Sequence, residues 1–259
     1  MSKDIQFEKE CIAEIAAMSA DEQLREKTRE WITRANAKKY SYHFDWLGRP
    51  IIQYPQDIVA MQELIWTVKP DLIIETGIAR GGSLMFSASM LALLDIEDAA
   101  SHASIMDPRK SKRKVLGLDI DIRAHNRDAI ERHPFFSYIQ MIEGSSIDQA
   151  VVAKVREVAA GHKRILVCLD SNHTHAHVLA ELKAYAPLVS PASYCVVFDT
   201  IIEDMEPDAF PDRPWGQGNN PKTAVKEYLA HHAEFRIDDS IQNKLQITVA
   251  PDGYLKRIG

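Results

Sequence analysis

Short apolar runs alternate with amphipathic stretches along most of the chain. After a helical pattern over about 56–68, the apolar runs predict five buried strands, at 72–75, 114–119, 136–142, 165–170 and 194–199. Apolar residues at helical spacing between these runs predict helices near 82–94, 123–132, 146–160 and 174–186. Strands that alternate with helices form a mostly parallel sheet covered on both faces, so the pattern predicts a doubly wound α/β fold.

The two ends of the chain depart from this alternation. The N-terminal residues combine helical spacing with many charges, so we expect 1–40 to form a helical extension of a main domain spanning 41–259. Near the C-terminus, a predicted helix over 222–232 precedes two runs, 235–241 and 245–250, with a short connection between them. These runs predict a terminal antiparallel pair of strands, which brings the sheet to seven strands.

Composition and charge narrow the class of partner. The 259 residues are 46% hydrophobic and 26% charged, which suits one large α/β domain. A net charge of −6 gives no basic surface for nucleic acid, and no apolar run approaches the roughly 20 residues of a membrane span. The N-terminus lacks a signal-peptide pattern and the three cysteines suggest no disulfide framework. We therefore expect a cytoplasmic protein, a homo-oligomer, that binds a small or medium-sized molecule and neither nucleic acid nor membrane.

A glycine-rich turn joins the first of the five strands to its helix. In the segment IIETGIARGGS (73–83), the strand ends near Glu75 and the helix opens after Gly81. A dinucleotide-binding turn directs a helix N-terminus at a pyrophosphate and has its acidic ribose ligand about 20 residues further on. Here Glu75 would repel a phosphate, and the next strand-end carboxylate, Asp119, comes much later. The turn therefore favours a cationic cofactor without phosphates.

S-adenosylmethionine (AdoMet) is a cofactor of this kind, with a sulfonium, an ammonium and a ribose. Glu75 and the amides around Gly77 and Gly81 would face its methionine part, and Asp119 would hold the ribose hydroxyls. The turn by itself also allows a simpler interpretation, in which the glycines only form a tight connection and Asp119 caps a helix.

Five segments of the chain together resemble the cephalosporin hydroxylase family of class I methyltransferase-like proteins. They are FDWLGRPIIQ (44–53), KPDLIIETGIARGGS (69–83), VLGLDID (115–121), IEGSS (142–146) and LDSNHTH (169–175). The resemblance implies an AdoMet enzyme, similar to metal-dependent sugar O-methyltransferases of macrolide biosynthesis and, more distantly, to catechol O-methyltransferase. The AdoMet-binding positions that it implies are Glu75, Gly77, Ala79, Gly81, Ser83, Asp119, Ser145 and Asp170.

Two acids, Asp170 and Asp199, end neighbouring predicted strands. Parallel packing should bring them to one edge of the sheet, where a hard ion such as Mg²⁺ would relieve their repulsion and leave positions for substrate oxygens. The resemblance implies that both are metal ligands. In the family an acid sometimes precedes the second aspartate, whereas Phe198 stands there in this chain, so Glu203 or Thr200 are the candidate third ligands. The residues alone also allow helix caps or polar strand ends.

His173 follows Asp170 by three residues, and the resemblance implies that it is the catalytic base beside Asp170. A second interpretation joins His173 and His177 with a carboxylate in a non-haem iron site, as in a hydroxylase. Such iron sites usually lie in β-sandwich barrels, and this chain alternates strands with helices. His175 and His177 are therefore expected to be helix-surface or packing residues.

The long loop over 208–221 carries Trp215 between flexible residues, either to close over a ring-shaped substrate or to pack. Taken together, the sequence predicts an AdoMet-dependent, divalent-metal-assisted O-methyltransferase acting on a hydroxyl of a small molecule or a sugar. The alternatives are the iron hydroxylase and a non-catalytic AdoMet-binding protein.

Overall fold

A computed structural model describes residues 4–259 and confirms the predicted α/β alternation. The helices are α1 (Ile5–Ala20), α2 (Glu22–Asn36), α3 (Pro55–Val68), α4 (Gly82–Ser101), α5 (Ala124–Glu131), α6 (Gln149–Ala159), α7 (His175–Tyr185), α8 (Pro221–Leu229) and α9 (Asp239–Leu245). The strands are β1 (Phe44–Trp46), β2 (Arg49–Ile51), β3 (Leu72–Thr76), β4 (Lys114–Asp119), β5 (Ile139–Glu143), β6 (Ile165–Leu169), β7 (Tyr194–Val197), β8 (Phe235–Ile237) and β9 (Tyr254–Arg257). Strands β1 and β2 pair as a separate hairpin.

The main sheet has seven strands in the order β5-β4-β3-β6-β7-β9-β8. From β3 the chain builds outward through β4 and β5, then crosses to the other side of β3 for β6 and β7. All pairs among these five strands are parallel, and Thr76 at the end of β3 is level with Leu118 on one side and Leu169 on the other. Ligands bind beyond the carboxyl ends of the strands at such a reversal of strand order.

Alternate strand residues pack on opposite faces of the sheet. Ile73 of β3 joins the core under α3 and α4, whereas its neighbours Leu72 and Ile74 join the core under α6, α7 and α8. All five residues of β3 are buried, as expected for a central strand with helices on both faces.

The last strand lies later than the sequence pattern predicts. The terminal antiparallel pair is present, but it joins β8 to β9, and the predicted strand over 245–250 is wrong. The apolar residues there are buried in a loop because Asp57 of α3 holds it: the Asp57 carboxylate accepts from Thr248 Oγ1 at 2.5 Å and from the Val249 amide at 3.0 Å. A side chain from a distant helix thus satisfies backbone groups that a strand would have paired.

The N-terminal helices are present as predicted from residue 5 onward, and the first three residues of the predicted extension lie outside the described residues. Helix α1 packs against α9, and α2 buries Ile32 in the core under α3 and α4. The boundary at residue 40 stays a prediction. Within residues 4–259, no helix has both the length and the apolar character needed to cross a membrane.

Candidate active site at the carboxyl ends of the strands

The glycine-rich turn after β3 depends on close backbone packing. Gly77 has φ +91°, and a Cβ atom there would lie 2.1 Å from the carbonyl oxygen of Asp170. Gly81, with φ +83°, precedes the first residue of α4, and Ala79 between them is also left-handed. Glycine at 77 is required both by the positive φ and by the contact with the chain leaving β6. The turn and Asp170 are therefore neighbours.

Two residues that the sequence pattern did not single out hold this turn. The Arg49 guanidinium donates to the carbonyl oxygen of Arg80 at 3.0 and 2.6 Å and to Oδ1 of Asn126 at 3.1 Å. Asn126 in turn donates to the carbonyl oxygen of Ala79 at 3.0 Å. Their partners lie tens of residues away in the chain, so no local spacing could have revealed them.

Asp119, the predicted ribose ligand, also organises the turn. Its Oδ2 accepts hydrogen bonds from the amides of Ile78 at 2.9 Å and Ala79 at 3.0 Å, and Oδ1 accepts from the amide of Asp121 at 3.2 Å. Asp119 also lines a pocket of about 130 Å³ together with Gly77 and the predicted Ser145. Asp119 thus has a structural role in the turn, but it does not cap a helix as the simpler interpretation allowed, and its side chain remains at the wall of a cavity.

The far wall of this pocket contains a hydrogen-bonded cluster that the sequence analysis missed. The His177 Nε2 atom lies 3.0 Å from Ser146 Oγ and 3.2 Å from Ser171 Oγ, and Ser171 donates to Oε1 of the fully buried Glu181 at 2.6 Å. His177 is thus a pocket residue as well as a packing residue. His175 instead packs against α8, with Nδ1 2.8 Å from Thr223 Oγ1.

Glu75 lies beneath the turn and is almost completely buried, at 4% exposure. It accepts a hydrogen bond from the hydroxyl of Ser83, another predicted cofactor residue. Burial raises the pKa of the Glu75 carboxyl to about 7, while the Ser83 hydrogen bond opposes that shift. Both residues line a small cavity of about 30 Å³ that extends to Asp170.

Asp170 is surrounded by other acids. Its pKa is raised well above the usual range, first by desolvation and then by the charges of Asp199 and Glu75, while a hydrogen bond from Gln53 Nε2, at 3.1 Å, opposes the shift. A cation between Asp170 and Asp199 would offset the repulsion between their charges, because each carboxylate would then be attracted to the cation.

Asp170, His173 and Asp199 form the group of side chains best arranged to hold a metal ion in the described part of the chain. Their ligand atoms lie within 4.8 Å of one another, and His173 Nε2 is 3.2 Å from Asp199 Oδ2. Asp199 follows β7 in the left-handed region, with φ 57°, an uncommon conformation for a residue other than glycine. The two acids therefore meet as predicted from the strand ends.

Neither of the two candidate third ligands belongs to this group. The Thr200 hydroxyl donates to the carbonyl oxygen of Pro251 at 2.6 Å, and Glu203 accepts from the Gly218 amide at 2.8 Å and from the Asn220 side chain. Glu203 thus anchors the long loop. The side chain that joins the two aspartates is His173.

The iron-site interpretation does not match this geometry. Within residues 4–259, the group with metal-binding geometry contains His173 without His177, whose Nε2 faces Ser146, Ser171 and Glu181. The host fold is also a doubly wound sheet with no sandwich barrel among the described residues.

A cleft of about 560 Å³ opens over the turn and the metal-binding group. Trp215 from the long loop lines it, with its ring 4.7 Å from that of His173 at a nearly perpendicular angle. The Arg213 guanidinium lies over the Trp215 ring at 5.2 Å. The loop therefore forms part of the wall of this cleft, next to His173.

Comparison with known proteins identifies the family. A family model described as rhamnosyl O-methyltransferase/CmcI matches residues 38–258. The chain belongs to the rhamnosyl O-methyltransferase/CmcI family. The rhamnosyl O-methyltransferase of Mycobacterium tuberculosis (strain H37Rv) is 30% identical over 203 residues, 78% of this chain and 73% of the relative. That of Mycobacterium leprae is 28% identical over 215 residues, 82% of each chain. The predicted family and enzyme class, an AdoMet-dependent O-methyltransferase, are confirmed.

Solved structures agree on the fold. A structure of CmcI with Mg and SAM has a TM-score of 0.54 at 20% identity and covers 84% of this chain and 78% of its own. A putative caffeoyl-CoA O-methyltransferase from Staphylococcus aureus has a TM-score of 0.52 at 13% identity, covering 98% and 100%. Both likenesses confirm the class I methyltransferase fold of this rhamnosyl O-methyltransferase/CmcI family member.

Proposed function

We propose that this protein transfers the methyl group of AdoMet to a hydroxyl of a sugar, free or attached to a larger natural product, with a divalent metal ion at the acceptor site. The observation that carries the proposal is the group of Asp170, His173 and Asp199 beside the glycine turn, in one cleft. A protein that only bound AdoMet would have no use for these three side chains at the acceptor end.

The arrangement around Gly77 supports the placement of the cofactor. Gly77 borders both the pocket that contains Asp119 and Ser145 and the cleft that contains Asp170. The adenosine part would occupy the pocket, with its ribose against Asp119, and the methionine part would reach toward Glu75 and Ser83. AdoMet supplies an already activated methyl group, so the chain has to orient it and exclude water.

The donor set supports a hard cation. Two carboxylates and an imidazole face one point, and carboxylate oxygens suit Mg²⁺, which keeps open positions for substrate oxygens. When bound, the ion would supply Lewis acidity toward an acceptor hydroxyl. Asp170 and Asp199 would hold it, and after desolvation their mutual repulsion is the next cause of the raised pKa of Asp170.

His173 is the proposed base. Its ring lines the cleft, and its Nε2 atom lies beside Asp199, where a carboxylate stabilises the imidazolium that forms after proton uptake. The alternative is that His173 is the third metal ligand, in which case its replacement should weaken metal binding.

The acceptor is proposed to be a sugar ring, as the names of the mycobacterial relatives suggest. Trp215, Phe210 and Tyr42 line the cleft, and aromatic faces suit the apolar faces of sugar rings. The deciding assay incubates the enzyme with labelled AdoMet, Mg²⁺ and rhamnosides, other glycosides or catechols. Transfer to a glycoside hydroxyl that ceases in Asp199→Asn supports the proposal, and transfer that is indifferent to this substitution contradicts it.

Three further expectations stand as proposals: homo-oligomeric assembly, a cytoplasmic location and a domain boundary at residue 40. Helix α1 leaves Ile5, Phe7 and Ile12 largely exposed, which supports self-association. Sedimentation of the wild type against Ile12→Lys tests the first, cell fractionation the second, and expression of residues 41–259 the third.

A further inference from the structure

Gln53 lies between β2 and α3 and is buried, at 7% exposure. Its Nε2 atom donates to Asp170 Oδ2 at 3.1 Å. Its Oε1 atom is enclosed and has no hydrogen-bond partner. With the amide nitrogen donating to Asp170, the amide oxygen faces away from this carboxyl group and needs a donor of its own. A buried acceptor without a donor is costly, and it needs an explanation at a functional site.

The cavity of about 30 Å³ beside Gln53 has a mostly apolar lining that includes a few polar side chains. Glu75 and Asp170 contribute carboxylates to it, and within residues 4–259 no lysine, arginine or histidine lines it. Asp57 also borders the cavity, but its carboxylate already accepts from Thr248, Val249 and Tyr254. Gln53 Oε1 and the two carboxylates are therefore acceptors that a small donor group would satisfy, and the volume suits one group about the size of a water molecule.

We propose that Gln53 recognises the ammonium group of AdoMet: Oε1 accepts from the ammonium while Nε2 holds Asp170. This inference rests on the proposed placement of the methionine part against Glu75. An ammonium is a small group with several donors, and it would satisfy Gln53 Oε1 and the Glu75 carboxylate together. A phosphate or carboxylate ligand would be repelled there by the carboxylates of Glu75 and Asp170.

The same side chain would link the two halves of the site. Because one amide contacts both Asp170 and the ammonium, Gln53 would set the position of a metal-binding carboxylate relative to the methyl donor. Gln53→Met keeps the approximate shape and removes both polar contacts. Gln53→Glu keeps an acceptor for the ammonium and loses the donor to Asp170.

The test is calorimetry of the full chain with two ligands, S-adenosylhomocysteine and its analogue in which hydrogen replaces the amino group. The wild type should bind the analogue at least about 10-fold more weakly, as expected for loss of hydrogen bonds from a charged donor. In Gln53→Met this penalty, the ratio of the dissociation constants of the analogue and of S-adenosylhomocysteine, should shrink several-fold. In Gln53→Glu it should be retained or increase. Gln56→Leu is the matched control, since Gln56 is on α3 outside the cavity lining, and its penalty should equal that of the wild type.

A penalty that is unchanged in Gln53→Met would overturn the inference, because Oε1 would then serve no ligand group. Loss of the penalty in Gln53→Glu would overturn it as well. If Gln53→Met does not fold by circular dichroism, the comparison of Gln53→Glu with the wild type still decides. Failure of the wild type to bind S-adenosylhomocysteine at all would instead contradict the proposed cofactor site.

Discussion

The Nε2 atom of His173 lies 3.2 Å from Oδ2 of Asp199, across the carboxyl ends of two strands. The geometry of this contact is compatible with two chemical roles for the histidine. As a base, it would take a proton from the acceptor hydroxyl and be stabilised as an imidazolium by the carboxylate. As a ligand, it would complete a metal site with Asp170 and Asp199.

His173→Ala separates these roles. If His173 is the base, kcat should fall by roughly 10²-fold or more, with little change in the affinity for AdoMet or Mg²⁺, because the lost interaction belongs to the transition state. His175→Ala is the control, since that ring packs against α8 and should have a mild effect. A large loss of Mg²⁺ affinity in His173→Ala would identify it as a ligand.

The sequence was informative where local pattern and structure coincide. The pattern of apolar residues predicted β3, β4, β6 and β7. The acids at the strand ends predicted that Asp170 and Asp199 lie close together. The pattern failed near the C-terminus, because Asp57 captures the apolar segment around Val249 from nearly two hundred residues away. The periodicity of apolar residues along a segment does not reveal a partner that lies so far away in the chain.

The supporting residues of the site were missed for the same reason. Arg49 and Asn126 act on the turn through long-range hydrogen bonds, and Gln53 is recognisable only once its side chain is seen beside Asp170. The sequence predicts a surface or packing role for His177, because the alternative role in an iron site does not suit a chain that alternates strands with helices. Its place in the pocket depends on how α7 is rotated, which spacing did not determine.

Metal removal is the second prediction. Excess chelator should abolish methyl transfer, and added Mg²⁺ should restore it, because Asp170 and Asp199 otherwise repel each other at the acceptor end. Binding of S-adenosylhomocysteine should largely survive, since its proposed contacts are with the glycine turn and Asp119. Calorimetry and a transfer assay on the same sample check both statements. Full turnover in excess chelator would contradict the metal proposal.

The third prediction concerns the substitution Asp119→Ala. Loss of a charge-assisted contact to the ribose should weaken S-adenosylhomocysteine binding roughly 10- to 100-fold. The turn itself should also loosen, because Asp119 accepts from the amides of Ile78 and Ala79. Asp121→Ala is the matched control, an exposed acid two residues on, and should bind like the wild type. Equal losses in both variants, or none in Asp119→Ala, would show that the ribose lies elsewhere.

The fourth prediction concerns the buried Glu75, whose pKa is raised to about 7. Below its ordinary value of 4.5, the carboxyl is protonated in both the folded and the unfolded chain, and it adds no pH dependence. Between pH 4.5 and 7 the unfolded chain releases this proton while the folded chain keeps it. The unfolded state then binds fewer protons, so the free energy of unfolding falls as pH rises through this window.

Glu75→Gln should remove this fall in the free energy of unfolding with rising pH, because the amide stays neutral and its oxygen can still accept from Ser83. The variant should match the wild type below the ordinary pKa of 4.5 and become more stable than it by pH 8, by up to about 3 kcal/mol, which is the pKa difference converted to free energy. Denaturant unfolding of both proteins without ligand, at several pH values, measures the difference. Asp57 also has a raised pKa, but Glu75 is not among its causes, so its contribution cancels in the comparison. The charge of Glu75 does help to raise the pKa of Asp170, so the variant should also lower the Asp170 contribution, which adds to the difference in the same direction. A stability difference that stays constant from pH 5 to pH 8 would mean that Glu75 is ionised in the folded protein throughout, and that a counter-charge reaches it.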